Sequence, residues 1–205
     1  RGLGDVYKRE EYDRERAKDL MASIKDFDKL VFEGHSTDYQ TKYKLRELVE
    51  DGVGILKVGP GLTYAAREGI FSLCMIEEEL AAVYGFETSH FREELDKAML
   101  ANPGKWAPYY HGTENEIAFK RKYSFSDRCR YYLPQENVKN ALAKLLTNLK
   151  EHPVPLPLLS QYMPFQYTLV REGKLNNTPE DLIKARVMYT IEEYTYASHQ
   201  EELIR

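Results

Sequence analysis

The chain contains three short apolar runs, and each of them leads directly into polar residues or glycines. The runs cover residues 30–34, 54–58 and 156–159, and helix-like sequence follows each of them. Consecutive strands of an α/β barrel have this pattern, and the chemistry of such barrels lies at the C-terminal ends of the strands. We therefore predict an α/β fold that is part of a barrel, because three strands cannot close one.

The composition is that of a soluble globular chain and excludes several classes of function. With 205 residues and a net charge of -4, the sequence favours one domain, here a partial barrel over residues 1–205, and shows no basic footprint for nucleic acid. Cys74 and Cys129 form neither a disulfide framework nor a metal-ligand spacing. No apolar stretch is long enough for a membrane span, and no signal peptide is present, so we expect a cytoplasmic protein. The start at Arg1 rather than Met predicts a fragment or a processed form.

Apolar periodicity predicts helices along most of the chain. Residues 86–151 are too many for a barrel connection, so we predict a helical insertion there, with residues 104–123 irregular and residues 124–132 helical. Thr63 is the predicted N-cap of the longest helix. The predicted helices cover residues 8–27, 43–50, 64–83, 91–100, 137–149, 165–172 and 179–198.

His35, Ser36, Asp38 and Gln40 follow the first predicted strand. Their side chains are suited to hydrogen-bond a sugar or a phosphate, and a histidine, an acid and an amide together exceed what a helix cap needs. The alternative is a loop in which Ser36, Thr37 or Asp38 caps the next helix.

Lys57 lies inside the second apolar strand, and a buried lysine is rare without a partner or a function. We predict phosphate binding, with Schiff-base chemistry as a second possibility. An ion pair with Glu33 is the alternative. Gly59 opens a Gly-Pro-Gly turn before a helix, and such a turn can offer free amides to an anion.

Further candidate ligands lie in the second half of the chain. Arg128 or Arg130, set among aromatic residues, is suited to bind a phosphate bidentately, and the alternative is a structural pair between an arginine and an aspartate. Ser160 and Gln161 follow the third apolar run. The histidines show no metal-ligand spacing, so we predict no metal site and no cofactor within this chain.

Several of these segments resemble the accessory subunit family of tagatose-bisphosphate aldolase. The segments that carry the resemblance are residues 33–40, 55–63, 66–68, 123–132 and 159–164. The resemblance extends from about residue 30 to residue 198. Members are about twice as long, so the chain resembles their C-terminal half.

The resemblance implies the C-terminal part of a TIM barrel. It also implies a non-catalytic subunit that stabilises and activates a separate class II aldolase subunit, which holds zinc and cleaves tagatose 1,6-bisphosphate in galactitol and N-acetylgalactosamine breakdown. No catalytic residues are carried over. We expect a sugar phosphate in the pocket formed by the candidate residues, and self-association through open strand edges.

Two alternatives remain open on the sequence. In the first alternative, the chain is itself an enzyme that acts on a ketose phosphate, either through Lys57 or through a metal whose ligands another segment completes. In the second it is a tagatose-6-phosphate kinase, as some members have been labelled, although no P-loop is present to hold the phosphates of ATP.

Overall fold

The structure is a computed structural model, and it describes residues 10–27 and 29–200. The chain is mostly helical, with a small sheet in which strand β1 (Phe32–Gly34) pairs in parallel with strand β2 (Val53–Leu56). Short 3-10 turns occur at Ile24–Asp26, Pro103–Lys105 and Arg128–Tyr131. The α-helices are α1 (Arg14–Ser23), α2 (Lys42–Glu50), α3 (Gly61–Tyr84), α4 (Phe91–Ala101), α5 (Glu114–Tyr123), α6 (Glu136–Glu151), α7 (Leu156–Tyr162), α8 (Pro164–Arg171) and α9 (Pro179–Ala197).

The chain divides into two compact units. Among the described residues, the first contains those up to Leu62 together with residues 188–200, and the second contains Thr63–Val187. In the first unit, β1, α2 and β2 form a parallel strand–helix–strand unit, the connection that parallel strands require. The end of α9 is fastened to it, because Arg46 of α2 donates to the carbonyl of Tyr196 and stacks on its ring.

A single apolar core organises the second unit. Helix α4 packs on α6, and both turn an apolar stripe inward at helical spacing. The fully buried members of this core include Leu73, Ile76, Phe91, Met99, Leu145, Leu149 and Leu159.

The predicted helices in the regions of α2, α4, α6, α8 and α9 are confirmed to within one or two residues at each end. The predicted helix at residues 8–27 is shorter where it is described: α1 begins at Arg14, and residues 8 and 9 lie outside the described part of the chain. Thr63 is not an N-cap, because α3 already begins at Gly61.

The prediction of a third strand at residues 156–159 is wrong, because these residues form the first turn of α7. A four-residue apolar run has no period that separates a strand from one buried turn of helix. Pro155 precedes the helix and Pro157 lies in its first turn, where the missing N–H has no intrahelical partner to lose.

Two further predictions in the second unit are only partly right. Residues 104–123 are not irregular throughout, because α5 begins after Thr113, whose hydroxyl and the Glu116 carboxylate form a capping box. Residues 124–132 are not an α-helix, since only a 3-10 turn at Arg128–Tyr131 forms there.

Candidate functional site

The carboxyl ends of β1 and β2 meet at one edge of the sheet. The backbone pairing continues one step beyond the strands, because the Lys57 N–H donates to the Gly34 carbonyl (2.9 Å) and the Thr37 N–H donates to the Lys57 carbonyl (3.1 Å). The predicted residues at positions 35–40 and at Lys57 therefore lie together at this edge, as parallel pairing requires.

Glu33, His35 and Lys57 form a charged cluster at this edge. The Nζ of Lys57 lies 3.2 Å from Glu33 Oε1 and 3.2 Å from His35 Nε2, and His35 Nε2 also contacts Glu33 Oε1. The Lys57 side chain is 50% exposed, so the prediction of a buried lysine is wrong. Lys57 directly follows the last residue of β2, and the alternative ion pair with Glu33 is the arrangement found.

We expect Lys57→Met to raise the pKa of Glu33. The hydrogen bond from Lys57 is the main cause that holds this pKa below its usual value, and His35 adds a smaller effect. A carboxyl with a lowered pKa stabilises the fold above its ordinary pKa, and that contribution disappears as the pH falls through the lowered value. A carboxyl-carbon NMR titration would measure the shift. His35→Ala should change the pKa less, and an unchanged value in Lys57→Met would contradict the pairing.

Asp38 is clamped by the Gly-Pro-Gly turn that follows β2. Its side chain is buried, and its two carboxylate oxygens accept hydrogen bonds from the N–H of Gly59 (2.8 Å) and the N–H of Gly61 (2.6 Å). A Cβ at either glycine would lie 2.7 Å from a carboxylate oxygen, which is too close. The two amides therefore bind an internal carboxylate, and the prediction that the Gly59 turn offers them to an external anion is wrong.

The clamp fixes a loop with unusual backbone angles. Ser36 and Tyr39 have φ values of 54° and 65°, in the left-handed region that non-glycine residues rarely adopt. Thr37 anchors the loop as well, since its hydroxyl lies 3.0 Å from the Tyr194 hydroxyl. Such strain persists only where surrounding contacts determine the conformation, and it is commonest at ligand sites.

His35, Ser36 and Gln40 line an open cleft of about 430 Å³ in the first unit. Gln40 is held in its wall, because its side-chain oxygen accepts from the Tyr12 N–H (2.8 Å) and its amide donates to the Glu10 carbonyl (2.8 Å). The helix at residues 42–50 is capped by Thr41, so none of Ser36, Thr37 and Asp38 acts as its cap. The lining also includes three acids and one arginine: Glu10, Glu11, Asp13 and Arg16.

The remaining predicted ligands belong to the second unit. Ser160 and Gln161 are exposed residues of α7. Arg128 lies in the 3-10 turn and stacks on Tyr109, with the guanidinium carbon 3.3 Å from the ring centre. The alternative was a structural ion pair between Arg128 or Arg130 and an aspartate. Asp127 does not form this pair, because its carboxylate is bound by Arg67.

The buried pair of Arg67 and Asp127 was not anticipated as a pair from the sequence. Arg67 Nε donates to Asp127 Oδ1 (2.8 Å), and the Thr63 hydroxyl donates to Oδ2 (2.7 Å). The Cys129 thiol also contacts Oδ1, and burial raises the pKa of this thiol. Arg67 Nη2 is buried without a hydrogen-bond partner. The sequence did contain a signal for a functional or structural role, because Arg67 and Asp127 both lie in segments that carry the family resemblance.

Within residues 10–27 and 29–200, no three histidine, cysteine, aspartate or glutamate side chains are grouped so that they could hold a metal ion. None of the described helices is long and apolar enough to cross a membrane.

A parallel strand–helix–strand unit with polar residues at its carboxyl edge, within a mostly helical chain, places the protein in the α/β class. More specifically, the chain belongs to the D-tagatose-1,6-bisphosphate aldolase subunit GatZ/KbaZ-like family, whose family model matches residues 5–199. The resemblance seen in the sequence is thereby confirmed.

The chain is also similar to the crystal structure of a probable tagatose 6 phosphate kinase from Sinorhizobium meliloti 1021. The two share 39% sequence identity with a TM-score of 0.86, over 92% of this chain and 48% of the other. The chain therefore spans about half the length of that solved structure.

Proposed function

We propose that the chain is the accessory subunit of a zinc-dependent class II D-tagatose 1,6-bisphosphate aldolase. It stabilises and activates a separate catalytic subunit through protein contact, in galactitol and N-acetylgalactosamine breakdown in the cytoplasm. The observation that carries this proposal is the family match over residues 5–199, because the family is one of aldolase subunits. The zinc belongs to the catalytic partner in this proposal.

We further propose that β1 and β2 are neighbouring strands of a TIM barrel, near the C-terminal part of the fold. The parallel pairing with a helical crossover supports this, since strands of such barrels are connected in this way. Leu30, Val31, Ile55 and Val58 expose large apolar side chains around the two strands. Parallel sheets are normally covered on both faces, so this exposure favours additional strands or a bound polypeptide.

The environment of Lys57 supports a non-catalytic role over Schiff-base chemistry. A nucleophilic amine must lose its proton, which burial or a neighbouring cation promotes. Lys57 is instead half exposed, and its Nζ lies 3.2 Å from a Glu33 carboxylate oxygen. We retain Lys57 with His35 and Ser36 as polar contacts for a sugar phosphate at the strand ends.

A kinase is the second candidate, because the 39% identical solved structure carries the name of a probable tagatose 6 phosphate kinase. The kinase hypothesis predicts ATP-dependent phosphorylation of a ketose phosphate by the chain alone.

The deciding experiment combines the chain with a class II tagatose-bisphosphate aldolase catalytic subunit. We expect cleavage of tagatose 1,6-bisphosphate to increase on addition of the chain, together with the thermal midpoint of the catalytic subunit. The chain alone should show neither cleavage nor consumption of ATP. Cleavage by the chain alone would make it an aldolase, and ATP-dependent turnover would make it a kinase.

A further inference from the structure

Three cationic side chains surround one exposed tyrosine in the second unit. The charged groups of Lys105, Arg128 and Arg130 lie 6.0, 5.9 and 4.4 Å from the centre of the Tyr131 ring, and Arg128 also stacks on Tyr109. The two tyrosines are 56% and 45% exposed. We call these five residues the tyrosine–arginine patch.

In the described part of the chain, no carboxylate is paired with the positive charges of the patch. Among the residues that the structure describes, Lys105, Arg128 and Arg130 form no ion pair with a carboxylate. Other arginines of the same unit do form such pairs, as Arg121 does with Asp96. Like charges gathered without a counter-charge repel each other, and a bound anion would relieve that repulsion.

Arg128 has unused hydrogen-bonding capacity. Its Nη1 donates only weakly to the Lys105 carbonyl (3.4 Å), and its Nε is buried without a partner. Leaving the buried Nε–H of Arg128 without an acceptor costs free energy. The guanidinium would regain hydrogen bonds if it turned from the Tyr109 ring toward a bound anion. Its donors match the oxygens of a phosphate in a planar, two-point geometry.

The turn that carries Arg128 is held in place independently of any ligand. The Tyr110 hydroxyl lies 3.0 Å from Ser126 Oγ and accepts from the Arg128 N–H (3.3 Å). Arg130 Nη1 donates to the carbonyls of Ser126 and Asp127, and its Nη2 donates to the Tyr131 hydroxyl (2.9 Å). A site whose backbone is already ordered loses less entropy when it binds a ligand.

We propose that the tyrosine–arginine patch binds the phosphate group of a sugar phosphate. Arg128 provides the two-point contact, Lys105 provides a second charge, and the rings of Tyr109 and Tyr131 offer apolar surface to the sugar. The phosphate follows from the patch itself, and only the nature of the sugar rests on the proposed function.

The single tryptophan of the chain provides the reporter for the test, because Trp106 directly follows Lys105. Inorganic phosphate and tagatose 1,6-bisphosphate would be titrated at constant ionic strength, with chloride as the reference anion. We expect a saturable change in tryptophan fluorescence with both phosphates and none with chloride. A response that is linear and equal for all three anions would overturn the proposal.

Matched variants separate phosphate recognition from general charge. Arg128→Gln should weaken phosphate binding by about ten- to a hundredfold, because charge-assisted hydrogen bonds are lost. Arg128→Lys keeps the charge but not the two-point contact, so its affinity should be intermediate. Lys139→Gln removes an exposed charge on α6 and should bind as the unaltered chain does.

The result of the phosphate-binding test can be distinguished from the result of the aldolase activity test. Saturable binding that Arg128→Gln weakens supports the patch even if the mixture shows no increased cleavage. Equal binding by Arg128→Gln and the unaltered chain overturns the patch even if the mixture is active. Far-UV circular dichroism would confirm that both Arg128 variants remain folded.

Discussion

Asp127→Asn is expected to lower the free energy of unfolding of the second unit by about 3–5 kcal/mol. The side chains of Arg67 and Asp127 are 2% and 0% exposed, so the substitution leaves the Arg67 charge buried without its counter-charge. Asparagine keeps the size of aspartate and tolerates the left-handed φ of 45° at this position, so the loss reports the charge rather than the backbone. Urea unfolding followed by Trp106 fluorescence would measure it.

An exposed ion pair of the same unit is the control for this prediction. Lys97 pairs with Glu94, and the Lys97 side chain is 68% exposed, so Lys97→Gln should cost less than about 1 kcal/mol. The double variant Arg67→Met with Asp127→Asn should lose less than the sum of the single losses, because no unpaired charge remains. If Asp127→Asn loses no more than Lys97→Gln, the buried pair does not stabilise the unit as inferred.

Asp38→Ala is expected to destabilise the loop after β1 by about 3 kcal/mol, since two charge-assisted hydrogen bonds are lost. The N–H groups of Gly59 and Gly61 would then have no carboxylate acceptor, and the Gly61 bond is buried. The most direct measurement is hydrogen exchange of these two amides, which should become faster as the loop opens more often.

Three variants define the limits of that prediction. Asp38→Asn retains one acceptor oxygen and should protect the amides to an intermediate degree. Gly61→Ala should reproduce the loss, because its Cβ would lie 2.7 Å from Asp38 Oδ1. Asp19→Ala removes an exposed acid from α1 and should leave both amides unchanged. Unchanged exchange in Asp38→Ala would show that the clamp does not hold the loop.

Helices were predictable where their signal is long and local. The stripe of Val138, Ala141, Leu145 and Leu149 covers more than three turns of α6, so its period is unambiguous. The run at residues 156–159 is too short to have a period, and Leu159 is buried in a helix. Helix α5 was missed even though Thr113 and Glu116 carry a capping-box signal in the sequence.

The position of the site at the strand ends could be predicted from the sequence, but the contacts that each of its side chains makes could not. Parallel strands bring their carboxyl ends to one edge, so residues after β1 and β2 had to meet there. Whether Lys57 is buried depends on what covers β2, and its apolar neighbour Ile55 is itself 48% exposed. Which elements pack over β2 is decided by the folded chain, and no short sequence pattern around Lys57 predicts it.

The sequence by itself determined the family, most of the helices and the meeting of the two strand ends, because these depend on segments with local patterns. Only the tertiary structure decided which charges are satisfied internally. Gly61 and Asp38 are 23 positions apart, and Arg67 and Asp127 are 60 positions apart. Periodicity relates residues only to their near neighbours in the chain, whereas a buried carboxylate takes whichever donors the packing brings within about 3 Å.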